Sequence, residues 1–144
     1  MAGSSSAAAR VPFGRLGDAA LLKRFATAFG LSPRAVIAGR EVLDSVYAKL
    51  PGRFPPLFEQ LVTAYEWEEE VDLGPFRLLA NPMEKPMEGE IAALEGGFIP
   101  FAVGPDGAMV CFDTERRRID RDCPIVQAGE EIAPSFKALM ERLA

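Results

Sequence analysis

The tetrapeptide Gly104-Pro105-Asp106-Gly107 lies between two strongly apolar runs, Phe98–Val103 and Ala108–Phe112, and limits the possible folds more than any other stretch. Proline presets its own φ and glycine accepts positive φ, so these four residues suit a tight turn. Apolar runs containing aromatic and β-branched residues on both sides of such a turn predict a β-hairpin. The first run is apolar at every position, which suits a strand covered on both faces. After Phe112 the chain becomes charged at Asp113. It turns apolar again at Pro124-Ile125-Val126, where a third, short strand is expected. The whole stretch from Gly97 to Val126 therefore predicts the centre of a sheet, with the flanking segments supplying the helices that cover it.

Helical periodicity is present on both sides. Asp18 to Phe29 places Leu21, Leu22, Phe25 and Phe29 on one stripe and Lys23 and Arg24 away from it, with Gly30 as the stop signal. Ser32-Pro33 reads as a capped restart of a second helix running towards Leu50, with Gly39 as a break or a close contact and Leu43, Val46, Tyr47 and Leu50 on its apolar face. Pro55-Pro56 opens a third helix with Leu57, Phe58, Leu61, Val62 and Tyr65 as its stripe, and Phe76–Ala80 reads as a short strand. Asn81 to Gly89 reads as a loop, and Glu90 to Glu95 as one or two helical turns. A last helix begins at Pro134, with Phe136, Leu139, Met140 and Leu143 facing inwards. The order predicts an α+β fold: a mainly antiparallel sheet of about four to six short strands, covered by helices. The expected organisation is a flexible tail over residues 1–17, a helical extension over 18–49 and an α+β domain over 50–144.

The 144 residues, 49% hydrophobic and 26% charged, suit one domain with a proper core. No run approaches the roughly 20 apolar residues of a membrane span, and the first residues lack a secretory apolar segment. Two cysteines, Cys111 and Cys123, indicate no disulfide framework, and a reduced, cytoplasmic setting is expected. The net charge of −5 is unevenly spread: the first sixty residues carry a balance of +4 and the remainder −9. An acidic second half argues against a phosphate-binding surface, and so against nucleic acid, and favours a basic protein partner through electrostatic complementarity. The same acids would also keep any domain soluble.

There is no histidine in the chain. That removes Ser-His-Asp and Cys-His catalysis and every His-containing zinc site, and two cysteines cannot complete a structural zinc centre alone. No P-loop or dinucleotide fingerprint is present. No catalytic residue, cofactor or metal is therefore expected. Cys111 would need an unusual activating base, and its place in a strand favours packing. Asp113, Asp120 and Asp122 alternate with Arg116, Arg117, Arg118 and Arg121, which predicts local ion pairing on a loop. The remaining candidate is Glu66-Trp67-Glu68-Glu69-Glu70-Val71-Asp72, with five acids in seven residues around the only tryptophan. Such a run is usually a solvated face. A lone tryptophan where a helix exits into a loop is either a lid on the core or an interface anchor. Trp67, Glu68, Glu69, Glu70 and Asp72 are the partner-binding candidates.

Leu50-Pro51, Tyr65-Glu66-Trp67, Leu73-Gly74-Pro75-Phe76, Leu78-Leu79-Ala80-Asn81-Pro82, Gly97-Phe98-Ile99-Pro100-Phe101 and Ala133-Pro134-Ser135-Phe136, taken in order, resemble the SUKH superfamily. Leu50-Pro51 followed by the Leu57–Tyr65 helix is similar to the opening of that domain. Tyr65-Glu66-Trp67, Leu73-Gly74-Pro75-Phe76 and Leu78-Leu79-Ala80-Asn81-Pro82 resemble a bacterial branch of it. Gly97-Phe98-Ile99-Pro100-Phe101 and Cys111-Phe112-Asp113 look like its central strands. Pro124-Ile125-Val126 and Ala133-Pro134-Ser135-Phe136 resemble the closing strand and helix. The resemblance covers roughly Leu50 to Leu143. It departs at Gln127-Ala128-Gly129-Glu130-Glu131, where many relatives carry His-Glu, and the first fifty residues lie outside it. The superfamily includes a yeast cell-wall assembly regulator and many bacterial immunity proteins. The resemblance implies a non-enzymatic protein-binding domain that neutralises a cognate toxin, often a nuclease, by direct binding. A regulatory or scaffold domain without a toxin partner is the alternative, and a carboxylate- or Cys111-dependent enzyme comes last.

Overall fold

Turn chemistry and apolar strands produce the expected hairpin. The computed structural model describes residues 17–85 and 96–144; residues 1–16 of the tail expected over 1–17, residues 86–89 of the expected loop and the helical turns expected over 90–95 lie outside the described residues. Strands are numbered here in chain order. β5 (Phe98–Val103) pairs antiparallel with β6 (Met109–Asp113), with Ile99 opposite Phe112 and Val103 opposite Met109. In the connecting turn Gly107 N–H donates to the Gly104 carbonyl at 3.0 Å, and Asp106 Oδ1 accepts from Ala108 N at 3.0 Å. Gly107 adopts φ +86, which only glycine takes without penalty.

Two short strands precede the hairpin, β3 (Val71–Asp72) and β4 (Arg77–Leu78), and two follow it, β7 (Ile125–Gln127) and β8 (Glu130–Ala133). The six form one antiparallel meander in the order β3-β4-β5-β6-β7-β8. A second, two-stranded sheet pairs β1 (Ser32–Pro33) with β2 (Tyr65–Glu66). Among the described residues four α-helices complete the fold: α1 (Asp18–Phe29), α2 (Arg40–Tyr47), α3 (Pro56–Ala64) and α4 (Phe136–Leu143). The fold is α+β, as the order of the sequence signals predicted.

One face of the large sheet carries the core, and its centre is aromatic. Phe101 and Phe112, neighbours across the hairpin, stack with centroids 4.2 Å apart and planes 8° from parallel. Phe58 from α3 and Phe136 from α4 meet Phe112 edge-on at 4.9 and 5.5 Å, and each other at 5.3 Å. Edge-to-face and offset-stacked geometry lets these rings fill space while their quadrupoles attract. α1 packs against α3 and α4, burying Leu21, Leu22 and Phe25 in the same continuous core, and Lys137 Nζ reaches Asp18 Oδ1 at 2.8 Å. The core thus runs across Leu50, and α1 belongs to it as fully as α3 does.

α1 ends as expected, with Gly30 at φ +70 and Leu31 N–H closing onto the Ala26 carbonyl at 2.9 Å. The second helix differs. Ser32-Pro33 does not begin it; the chain is extended there and α2 starts only at Arg40, after Gly39. The reason is tertiary. The last carbonyls of α3 have no intrahelical donor. Arg34 N and Ala38 N satisfy those of Ala64 and Thr63 at 2.9 and 3.0 Å, and the Arg34 guanidinium satisfies that of Val62 at 2.8 Å. A helix started at Ser32 would leave those of Ala64 and Thr63 unmet. Tyr65, expected on the α3 stripe, belongs to β2, and the strand expected over Phe76–Ala80 is paired regularly only at Arg77–Leu78. β8 was not expected: Glu130 and Glu131 give it little strand character, but it follows a turn in which Ala128 and Gly129 adopt φ +52 and +79, values suited to a two-residue hairpin loop. α4 begins at Phe136 rather than Pro134, with Ser135 Oγ accepting from Ala138 N at 3.1 Å.

Candidate functional site

The acidic segment leaves α3 at its C-terminus and becomes the outermost strand of the large sheet. Tyr65-Glu66 is pinned by β1, and Trp67 then turns inwards. It is only 8% exposed, and its indole N–H donates to the Leu79 carbonyl at 2.9 Å. Beneath it Asn81, fully buried, donates from one amide nitrogen to the Val62 and Tyr65 carbonyls at 3.1 and 3.0 Å and accepts from Met83 N at 2.9 Å. A buried amide satisfied on both ends fixes the exit of α3 in one geometry. Trp67 is consequently the lid on the core, and the part of it open to a partner is small. The hydrogen bond to Leu79 and the burial of the apolar ring together account for this inward packing.

Glu68, Glu69 and Glu70 occupy the bend beyond Trp67 and are exposed, as is Asp72 in β3. The structure therefore brings the four carboxylates together on one solvent-facing edge. Glu70 Oε1 lies 3.2 Å from Arg77 on the neighbouring strand, and Asp72 Oδ1 accepts from Gly74 N at 2.8 Å, closing the turn that follows. Glu68 and Glu69 have no ion pair among the described residues. Charge on an edge strand also prevents its open hydrogen-bonding groups from recruiting another strand.

A second feature was not singled out from the sequence. Along β6 the side chains alternate: Val110 and Phe112 enter the core, while Met109 and Cys111 face the opposite side of the sheet. There, with Phe98 and Val126, they floor an apolar groove of about 720 Å³, a volume within the usual range for ligand sites of roughly 300–1,000 Å³. Asp113, Arg116 and Glu131 form its charged side, with Arg116 Nε 2.8 Å from Asp113 Oδ2 and Arg116 Nη1 3.4 Å from Glu131 Oε1. The alternation along β6 was the available signal, hidden because both of its faces are apolar.

Burial pushes the Cys111 thiol up to about 11, so at neutral pH it is the protonated, weakly nucleophilic form. Cys123 is pushed to about 11 for the same reason but lies in the core, on the other side of the sheet from Cys111. The two thiols are free and face opposite sides. Both pKa values are raised above the ordinary thiol value, so the folded state holds its protons longer and stability falls as pH rises through the window from about 9 to about 11. Urea titrations at pH 8 and pH 11 are expected to show that loss, and its reduction in a Cys111→Ala, Cys123→Ala variant. A fall of equal size in the variant would assign it elsewhere.

Among the described residues no group of three or more potential metal ligands is gathered, and no described helix is long and apolar enough to cross a membrane. Compared with known proteins, the chain matches no family model and no curated protein.

Proposed function

We propose that this chain is a non-enzymatic protein-binding domain, and specifically a cytoplasmic immunity protein that occupies and neutralises a basic toxin domain, such as a nuclease. The observation that carries the reading is the exposed carboxylate edge Glu68-Glu69-Glu70 with Asp72, held from beneath by Trp67 and Asn81. Complementary charge steers a basic partner to the surface, and a pre-ordered edge loses little entropy on binding. The sequence resemblance supplies the immunity role. The protonated state of Cys111 weighs against an enzyme built on that thiol.

The test is a tagged pull-down from the native host, with bound proteins identified by mass. One stoichiometric basic partner that kills cells lacking this chain is the expected result; a non-toxic partner would favour the regulatory or scaffold alternative. Charge reversal of Glu68, Glu69, Glu70 and Asp72 is expected to weaken the complex by about tenfold or more and to flatten its salt dependence. Unchanged affinity would remove this edge from the interface.

A further inference from the structure

In a chain of net charge −5, four arginines converge on one hollow of about 200 Å³. Arg40 comes from the start of α2, Arg53 from the α2–α3 connection, and Arg117 and Arg121 from the loop between β6 and β7. The walls also include Phe54, Pro56 at the start of α3, and Glu59. Arg40 is ion-paired with Asp44 at 3.3 Å, but Arg53 and Arg121 have no carboxylate within ion-pair reach among the described residues. Glu59 accepts the Tyr47 hydroxyl through Oε1 at 2.6 Å and keeps its negative charge, so the wall sets four guanidinium groups against one carboxylate.

The roles of the arginines divide. The Arg117 guanidinium donates to the backbone carbonyls of both Arg53 and Arg121, tying the two loops together from segments 64 residues apart. The Arg53 guanidinium lies 4.3 Å from the centre of the Tyr47 ring, an arrangement that orients the fork without neutralising it. Arg121 sits at φ +69, a left-handed conformation that disfavours a side chain and that glycine adopts freely. The α3 N-terminus beside them has no side-chain cap. Like charges gathered in a hollow repel unless an anion occupies it.

We propose that this hollow is a binding site for a phosphoryl group. Guanidinium forks pair bidentately with phosphate oxygens, and the volume, below that of ordinary small-molecule pockets at roughly 300 Å³ and above, admits a phosphate or diphosphate but not an attached nucleoside, which would lie outside. The site is independent of the acidic edge and of whatever binds there.

The experiment is calorimetric titration of the full chain with sodium pyrophosphate and, separately, ADP, at matched ionic strength. Saturable binding at one site is expected. Arg53→Gln and Arg121→Gly should each weaken it about tenfold or more, as loss of a charge-assisted pair predicts. Arg121→Gly also keeps the backbone conformation, so its fold and thermal midpoint should be retained. Pyrophosphate binding as tightly as ADP would identify a free inorganic ligand; tighter ADP binding would identify a nucleotide with its base outside the hollow. Absence of saturation up to millimolar pyrophosphate, or equal affinity in both variants, would overturn the proposal.

Discussion

Replacing Phe112 with alanine is expected to destabilise the domain by about 3–5 kcal/mol, the cost of removing a large aromatic ring that its surroundings cannot refill. Phe112 is fully buried and touches Phe54, Phe58, Phe101 and Phe136, so the void would open where α3 and α4 meet the hairpin. Equilibrium urea unfolding followed by circular dichroism measures this directly, and the thermal midpoint should drop by on the order of 10 °C or more. Phe98→Ala is the control. It removes the same ring from the same hairpin, but Phe98 is 36% exposed on the groove side, and the change should cost a small fraction of the Phe112 loss. Equal costs at the two sites would show that the aromatic cluster is not the centre of stability.

Asp122→Ala is expected to be nearly as damaging, for a different reason. Asp122 Oδ1 accepts from Cys123 N at 2.7 Å and from Phe136 N at 2.9 Å, and Oδ2 accepts from Lys137 N at 3.2 Å. One carboxylate thus joins the loop before β7 to the first turn of α4, from a site only 6% exposed. Negative charge at that helix end is favourable, and two buried N–H groups and one half-buried one would lose their acceptor together. Each such orphan costs about 1–3 kcal/mol, so a total on the order of 3–5 kcal/mol is expected, with α4 the first element to lose hydrogen-exchange protection. Asp122→Asn, which keeps one acceptor oxygen, should recover part of the stability. Full stability in the alanine variant would mean that the three amides find other partners.

Local ion pairing was the expectation for the whole Asp113–Asp122 loop, and it holds for Arg116 with Asp113 and for Arg118 with Asp120. Asp122 differs because its partners are amides, two of them on a helix that begins fourteen residues later; spacing along the chain carries no trace of that. Trp67 shows the same limit. Its acidic neighbours are visible in the sequence, whereas the carbonyl of Leu79 that draws the indole inwards is placed by the β4 strand. Counting charge by halves argued against a phosphate-binding surface, yet the fold takes Arg40 and Arg53 from one half and Arg117 and Arg121 from the other and sets them around one hollow.

What the sequence determined by itself were the elements whose signals are local: the Gly104–Gly107 hairpin, the α1 helix stopped at Gly30, the proline-led α3, and the aromatic positions that face inwards. Each is decided by φ preferences or apolar spacing within a turn or two of chain. Long-range contacts are what make Ser32-Pro33 extended, turn Glu130–Ala133 into an edge strand, and let Asn81, Asp122 and Arg117 tie distant segments together. Those outcomes follow from backbone groups at helix ends and strand edges that must find partners once water is excluded, and the partners lie wherever the fold brings them.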